Sequence, residues 1–113
     1  MPKPPPSEPE VVETPKGPKV QTLHPAGKQG VNIDAGKYSA MRSAILLVVP
    51  ATEAGVLLQE LGDAVRPHLS ANGFDPKASV LWYLMAVKQD LEARGIVELV
   101  PKSSPQRLRL TAR

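Results

Sequence analysis

From Asp34 onward the apolar positions recur with a helical period. In "AGKYSAMRSAILLVV", Tyr38, Met41, Ile45 and Val48 fall three or four residues apart, which puts them on one face of a helix. Asp34 offers a side-chain acceptor for the first free N–H groups, and Pro50, with no N–H of its own, ends the run. Ala44, Leu46, Leu47 and Val49 widen the apolar face, so the second half of this helix is expected to be buried on most sides. A second stripe, Leu58, Leu61 and Val65, lies in "VLLQELGDAVRPHL", where Val56 and Leu57 read equally well as a very short strand leading into it. Proline inside a helix costs about 3 kcal/mol, so regular helix is expected to end or kink near Arg66, before Pro67. The turn-rich "SANGFDPKAS" then leads into a third helix, from about Lys77 to Arg94. Its core stripe is Val80, Leu84, Val87 and Leu91, and Gly95 is a natural residue to follow its end.

Beyond Gly95 the period drops to two. "IVELV" and "RLRLTA" flank "PKSSPQ", with Leu108 and Leu110 alternating against Arg107 and Arg109, the pattern of a half-buried antiparallel pair. Pro101 and Pro105 keep the turn out of the ladder. Upstream, Val20–Leu23 and Val31–Ile33 are two short β-prone runs around a Pro/Gly-containing loop, read as a hairpin or an extended arm.

Composition separates the front of the chain from the rest. Eight of the 13 prolines lie at or before Pro25, and "MPKPPPSEPEVVETPKGPK" has almost no large apolar side chains. Such a stretch buries too little surface to offset its ordering entropy. Residues 1–18 are therefore expected to be a disordered tail, residues 19–33 an arm or hairpin, and residues 34–113 the folded domain. "PKPPP" alternatively suits a ligand for a proline-binding partner. The chain has no cysteine, which excludes disulfides and thiolate metal sites and suits a cytoplasmic location. Prolines and glutamates stand where a signal peptide needs an apolar run, and "AILLVVPA" is too short to span a bilayer.

The order helix, short strand, helix, loop, helix, hairpin matches an α+β winged helix-turn-helix arrangement. "DAGKYSAMRSAILLVVP", "WYLMAVKQDLEARGIV" and "PQRLRL" also resemble a small bacterial family of uncharacterised winged-helix-like proteins. The shared features are an Asp-Ala-x-Lys-Tyr start, a Trp before a Val-x-x-Asp-Leu-Glu run, and a closing hairpin, over about residues 20–112. The resemblance implies the fold and brings no activity. One feature departs from DNA-binding helix-turn-helix units. Their second and third helices are joined by 3–4 residues, whereas here Pro67 and the loop to Pro76 make the connection nearer ten.

Two functions fit these residues. Net charge is +3 and unevenly spread: +1 over residues 1–30, −2 over 31–76 and +4 over 77–113. The basic excess near the hairpin suits a duplex DNA partner. On that reading Lys77, Ser79 and Tyr83 enter a groove, while Lys102, Arg107 and Arg109 hold phosphates in a salt-sensitive way. Arginines on an exposed strand equally serve to block edge-to-edge aggregation. At 100° per residue, the face of the third helix opposite its core stripe carries Trp82, Met85, Ala86 and Gln89, with Ala93 at its end. That face is unusually apolar and suits a homodimer, a protein partner or cover by residues 20–33. Asp90 falls on one flank with Ser79 and Tyr83, and Lys88 and Glu92 fall on the other. Asp90 and Glu92 point about 160° apart, so they do not form a catalytic pair. His24 and His68 have no carboxylate at ligand spacing, and "GKQG" lacks the Lys-Ser/Thr ending of a phosphate loop. No cofactor, metal site, membrane contact or catalysis is expected.

Overall fold

The computed structural model describes residues 9–71, 74 and 79–111. They form a mixed α+β unit of three helices and two small antiparallel sheets. The front of the chain differs from the expected order, because three strands precede the first helix. β1 (Val11–Thr14) and β2 (Gly17–Gln21) are a hairpin, and β3 (Asn32–Asp34) pairs with the far edge of β2. Residues 11–14 and 17–18, expected within a disordered tail, are thus ladder residues, with Pro15 and Lys16 as the turn between them. The reason is cooperative: Val20 pairs with Ile33 on one side and Val11 on the other, and both Val20 and Ile33 are buried. That anchored strand gives the apolar-poor β1 a template for its backbone groups, which composition does not reveal.

α1 (Ala35–Val48) starts where its cap predicts, with Asp34 Oδ2 accepting from the Lys37 N–H at 3.0 Å. Tyr38, Met41, Ala44 and Ile45 are buried against α2, α3 and β2. Its second half is enclosed on most sides, with Ala44, Ile45 and the following Val49 buried and Leu46 and Val48 half-buried, but one edge is open. Leu47 is 68% exposed, because the neighbouring elements leave that face to solvent.

β4 (Val56–Leu57) and a single 3-10 turn, Leu58–Glu60, lead into α2 (Leu61–Ala71). Of the end or kink expected near Arg66, the end does not occur, because α2 continues through Pro67 to Ala71. Pro67 lies on the exposed face, so the turn gives up one backbone donor there, and the buried Leu69 holds the following turn to the core. α3 (Val80–Ala93) begins three residues later than expected, with Ser79 Oγ accepting from the Trp82 N–H at 3.3 Å. Leu84, Val87 and Leu91 are buried, and Val80 is partly so.

The C-terminal hairpin is β5 (Val97–Leu99) and β6 (Arg107–Leu110), with Glu98 opposite Arg109 and Leu99 opposite the fully buried Leu108. β4 completes this sheet on the other side of β6, Val56 opposite Leu108, so the order is β4-β6-β5. Alternation identified β5 and β6. The pairing of β4 depends on a contact about fifty residues away in sequence, beyond any local pattern.

Candidate functional site

A hollow lies on the outer face of α3. It holds about 420 Å³ between that helix and the loop joining β2 to β3. Leu81, Trp82, Met85, Ala86 and Gln89 form one wall; residues 22–24 and 29–31 form the other. Trp82 is 48% exposed and Met85 40%, while Ala86 and Gln89 are half-buried, so the four residues expected together on this face are together. Residues 20–33, a candidate cover for that face, instead stand beside it as the opposite wall. A second hollow of about 330 Å³, lined by Leu58, Gln59, Pro105 and Gln106, adjoins the first through Met85.

The loop wall is fixed by a buried polar cluster that sequence reasoning missed. Asp90, which helical geometry places on a flank of α3 beside Ser79 and Tyr83, is fully buried. Its Oδ1 accepts from the Leu23 N–H at 2.8 Å; its Oδ2 accepts from Arg94 Nε at 2.9 Å and from the Tyr38 hydroxyl. One carboxylate therefore ties α1, α3 and the loop wall together. The i,i+4 spacing of Asp90 and Arg94 was the only signal in the chain for this cluster. Its third member, Tyr38, lies 52 residues away.

Burial, the Asp90 hydrogen bond and the Asp90 charge push the Tyr38 phenol well above the usual tyrosine range, against the opposing charges of Arg94 and Arg42. Burial works against the Arg94 charge, but the hydrogen bond and charge of Asp90 outweigh it and raise the Arg94 pKa. The phenol's shift has a defined consequence. Its folded-state pKa lies above the unfolded value of about 10, so its contribution is intact below pH 10 and is lost as pH rises beyond that. Urea midpoints measured on either side of pH 10 should fall in the wild type, and fall less in Tyr38→Phe. An equal alkaline fall in both would dispose of this assignment.

Several of the residues expected to contact DNA are engaged within the fold. Lys77 lies outside the described residues. Ser79 caps α3, and Tyr83 stacks edge-on between Phe74 and Trp82, ring centroids 5.5 and 4.9 Å away, with Lys37 Nζ over its ring. Arg109 is committed to its own sheet: Nε and Nη2 both bond Glu98 Oε2, at 2.7 and 2.6 Å, and Nη1 donates to the Glu53 carbonyl at 2.9 Å. Lys88, expected on an open flank, is buried in an i,i+4 ion pair with Glu92. Lys102 is exposed at the hairpin turn, and Arg107 is half-buried and makes no ion pair among the described residues.

Among the described residues no group of three or more His, Asp or Glu is arranged to hold a metal, and no helix is long and apolar enough to cross a membrane. Fold and hollow together define a small mixed α+β domain with an apolar groove on its third helix. The chain belongs to the family of unknown function DUF6958, whose model matches residues 19–108. This span runs from β2 into β6 and agrees with the resemblance to an uncharacterised family. Comparison with curated proteins gave no match, and comparison with solved structures gave none either.

Proposed function

We propose that this is a non-catalytic protein-interaction module of winged-helix-like build, which holds a partner against the Leu81/Trp82/Met85 face of α3. From α1 onward the order α1-β4-α2-α3-β5-β6, with β6 central in its sheet, supports the winged-helix-like description. The observation that carries the functional reading is that large apolar side chains stay exposed along a concave face with no Lys, Arg, Asp or Glu among the described residues lining either hollow. Exposed aromatic and Met side chains in a concavity mark contact surfaces more often than solvated ones.

DNA binding is the second reading. It is favoured by the +4 excess over residues 77–113 and by the exposed Lys102 beside Arg107. It is weakened because Arg109 and Lys88 already have carboxylate partners, and a phosphate would have to displace them. Retention on immobilised duplex DNA at about 50 mM salt separates the two readings. The expected result is no retention, and identical elution of wild type and the Arg107→Ala/Arg109→Ala variant. Retention that falls steeply with salt and disappears in the variant would replace the interaction reading with the DNA one.

A further inference from the structure

The two hollows that meet at Met85 define the chemistry of what binds there. We infer that the occupant is a short uncharged segment of a partner protein carrying two apolar anchor side chains, one for each hollow. This inference rests on the interaction reading above.

Four observations lead to it. First, the hollows are separate but adjoining: about 420 Å³ between Trp82 and the loop wall, and about 330 Å³ beside Leu58 and Pro105, with Met85 lining both. A continuous ligand crossing Met85 places one side chain on each side of it. Second, among the described residues the polar lining has no Lys, Arg, Asp or Glu. Thr22, His24, Gln29, Gln89, Gln59 and Gln106 supply hydroxyl, imidazole and amide groups suited to peptide N–H and C=O groups. His24 Nδ1 already accepts from the Ala26 N–H at 3.1 Å, which leaves its Nε2 edge for a carbonyl. A charged ligand group entering here would be desolvated without a counter-charge, a costly outcome.

Third, size argues against a second copy as occupant. The exposed apolar side chains of this face, Val31, Leu81, Trp82 and Met85, amount to roughly a few hundred Å². Each partner of a stable dimer buries about 800 Å². A concave face of this extent suits a segment whose side chains insert. Fourth, the walls are fixed before binding. Asp90 pins the loop wall through Leu23, and the Tyr83–Phe74 contact supports Trp82 from behind. A preformed groove spares the ligand the entropy of ordering it, so a short segment can suffice.

The test selects binders from a random-sequence peptide phage library on the immobilised full chain. Affinities of synthesised winners are then read from the fluorescence of Trp82, the only Trp in the chain. Winners are expected to carry two bulky apolar residues within a stretch free of Asp, Glu, Lys and Arg. Met85→Glu, which puts a charge at the junction of the hollows, should weaken them at least about tenfold, equivalent to 1.4 kcal/mol. Leu47→Glu, on the exposed face of α1, should leave affinity unchanged. Charged winners, or affinities indifferent to Met85→Glu, would overturn the two-anchor inference and leave the interaction reading in place. A concentration-dependent dimer in sedimentation that Met85→Glu abolishes would also overturn it, with a second copy as the occupant. No winners at all, from a chain that sediments as a monomer, would bring down both.

Discussion

Asp90→Ala is expected to lower the unfolding free energy by about 3–5 kcal/mol, the usual cost of removing one member of a buried ion pair. The side chain is fully buried, and its two oxygens take three donors: the Leu23 N–H, Arg94 Nε and the Tyr38 hydroxyl. Truncation strips the carboxylate from an arginine whose own side chain is only 3% exposed. Alanine supplies neither a charge nor an acceptor in its place. A domain of this size holds about 5–15 kcal/mol in all, so the variant will sit near the edge of folding. Asp90→Asn is the companion, because it keeps one acceptor oxygen and the shape while losing the charge. Urea unfolding followed by far-UV circular dichroism should rank wild type above Asp90→Asn above Asp90→Ala. A loss below about 1 kcal/mol in Asp90→Ala would mean that the cluster is a neutral passenger in the core.

Gly30→Ala carries the second-largest expected effect, and it reaches the groove as well as the stability. A Cβ at residue 30 would stand 2.0 Å from the Thr22 carbonyl oxygen and 2.6 Å from its carbon. These are backbone atoms of the facing limb, which cannot rotate away. The two limbs would have to part, straining the 2.9 Å bonds from the Thr22 N–H to the Val31 carbonyl and from the Val31 N–H to Thr22 Oγ1. Forced overpacking of this kind costs typically 1–3 kcal/mol, and the top of that range is expected where backbone must move. Gly27→Ala is the internal control. Gly27 has φ +75 but no atom within 4 Å of an added Cβ, so it should cost only the left-handed penalty of about 1–2 kcal/mol. Because Gly30 and Thr22 both line the hollow beside Trp82, Gly30→Ala should also shift the Trp82 emission, and Gly27→Ala should not. If the two variants proved equally stable with unchanged emission, the close approach of the limbs would not exist in solution.

Both predictions turn on residues whose importance is invisible in their local sequence. The core stripes were legible because helical periodicity forces Tyr38, Met41 and Ile45, or Leu84, Val87 and Leu91, onto one side of their helices. Trp82 and Met85 were legible for the converse reason, since the face opposite a core stripe is exposed unless something covers it. The same rule failed for Asp90 and Lys88. A flank two or three residues round from the stripe is exposed or buried according to its neighbours, and α3 has the β2–β3 loop and α1 against the Asp90 side. The wing arginines failed for a related reason. Alternation places Arg109 on the polar side of its strand, but only the register of β5 on β6 sets Glu98 across from it.

The sequence by itself determined the three helices, the cap at Asp34, the closing hairpin and the apolar outer face of α3, because each follows from spacing within a dozen or so residues. Tertiary structure alone decided three other things. Residues 11–14 and 17–18 joined a ladder, since strand pairing is satisfied by a partner and not by composition. Helix α2 ran past Pro67, since burial of Leu69 outweighed one missing donor. The apolar face became a groove with a fixed wall, since a carboxylate on α3 captured a backbone N–H from a loop 67 residues earlier in the chain.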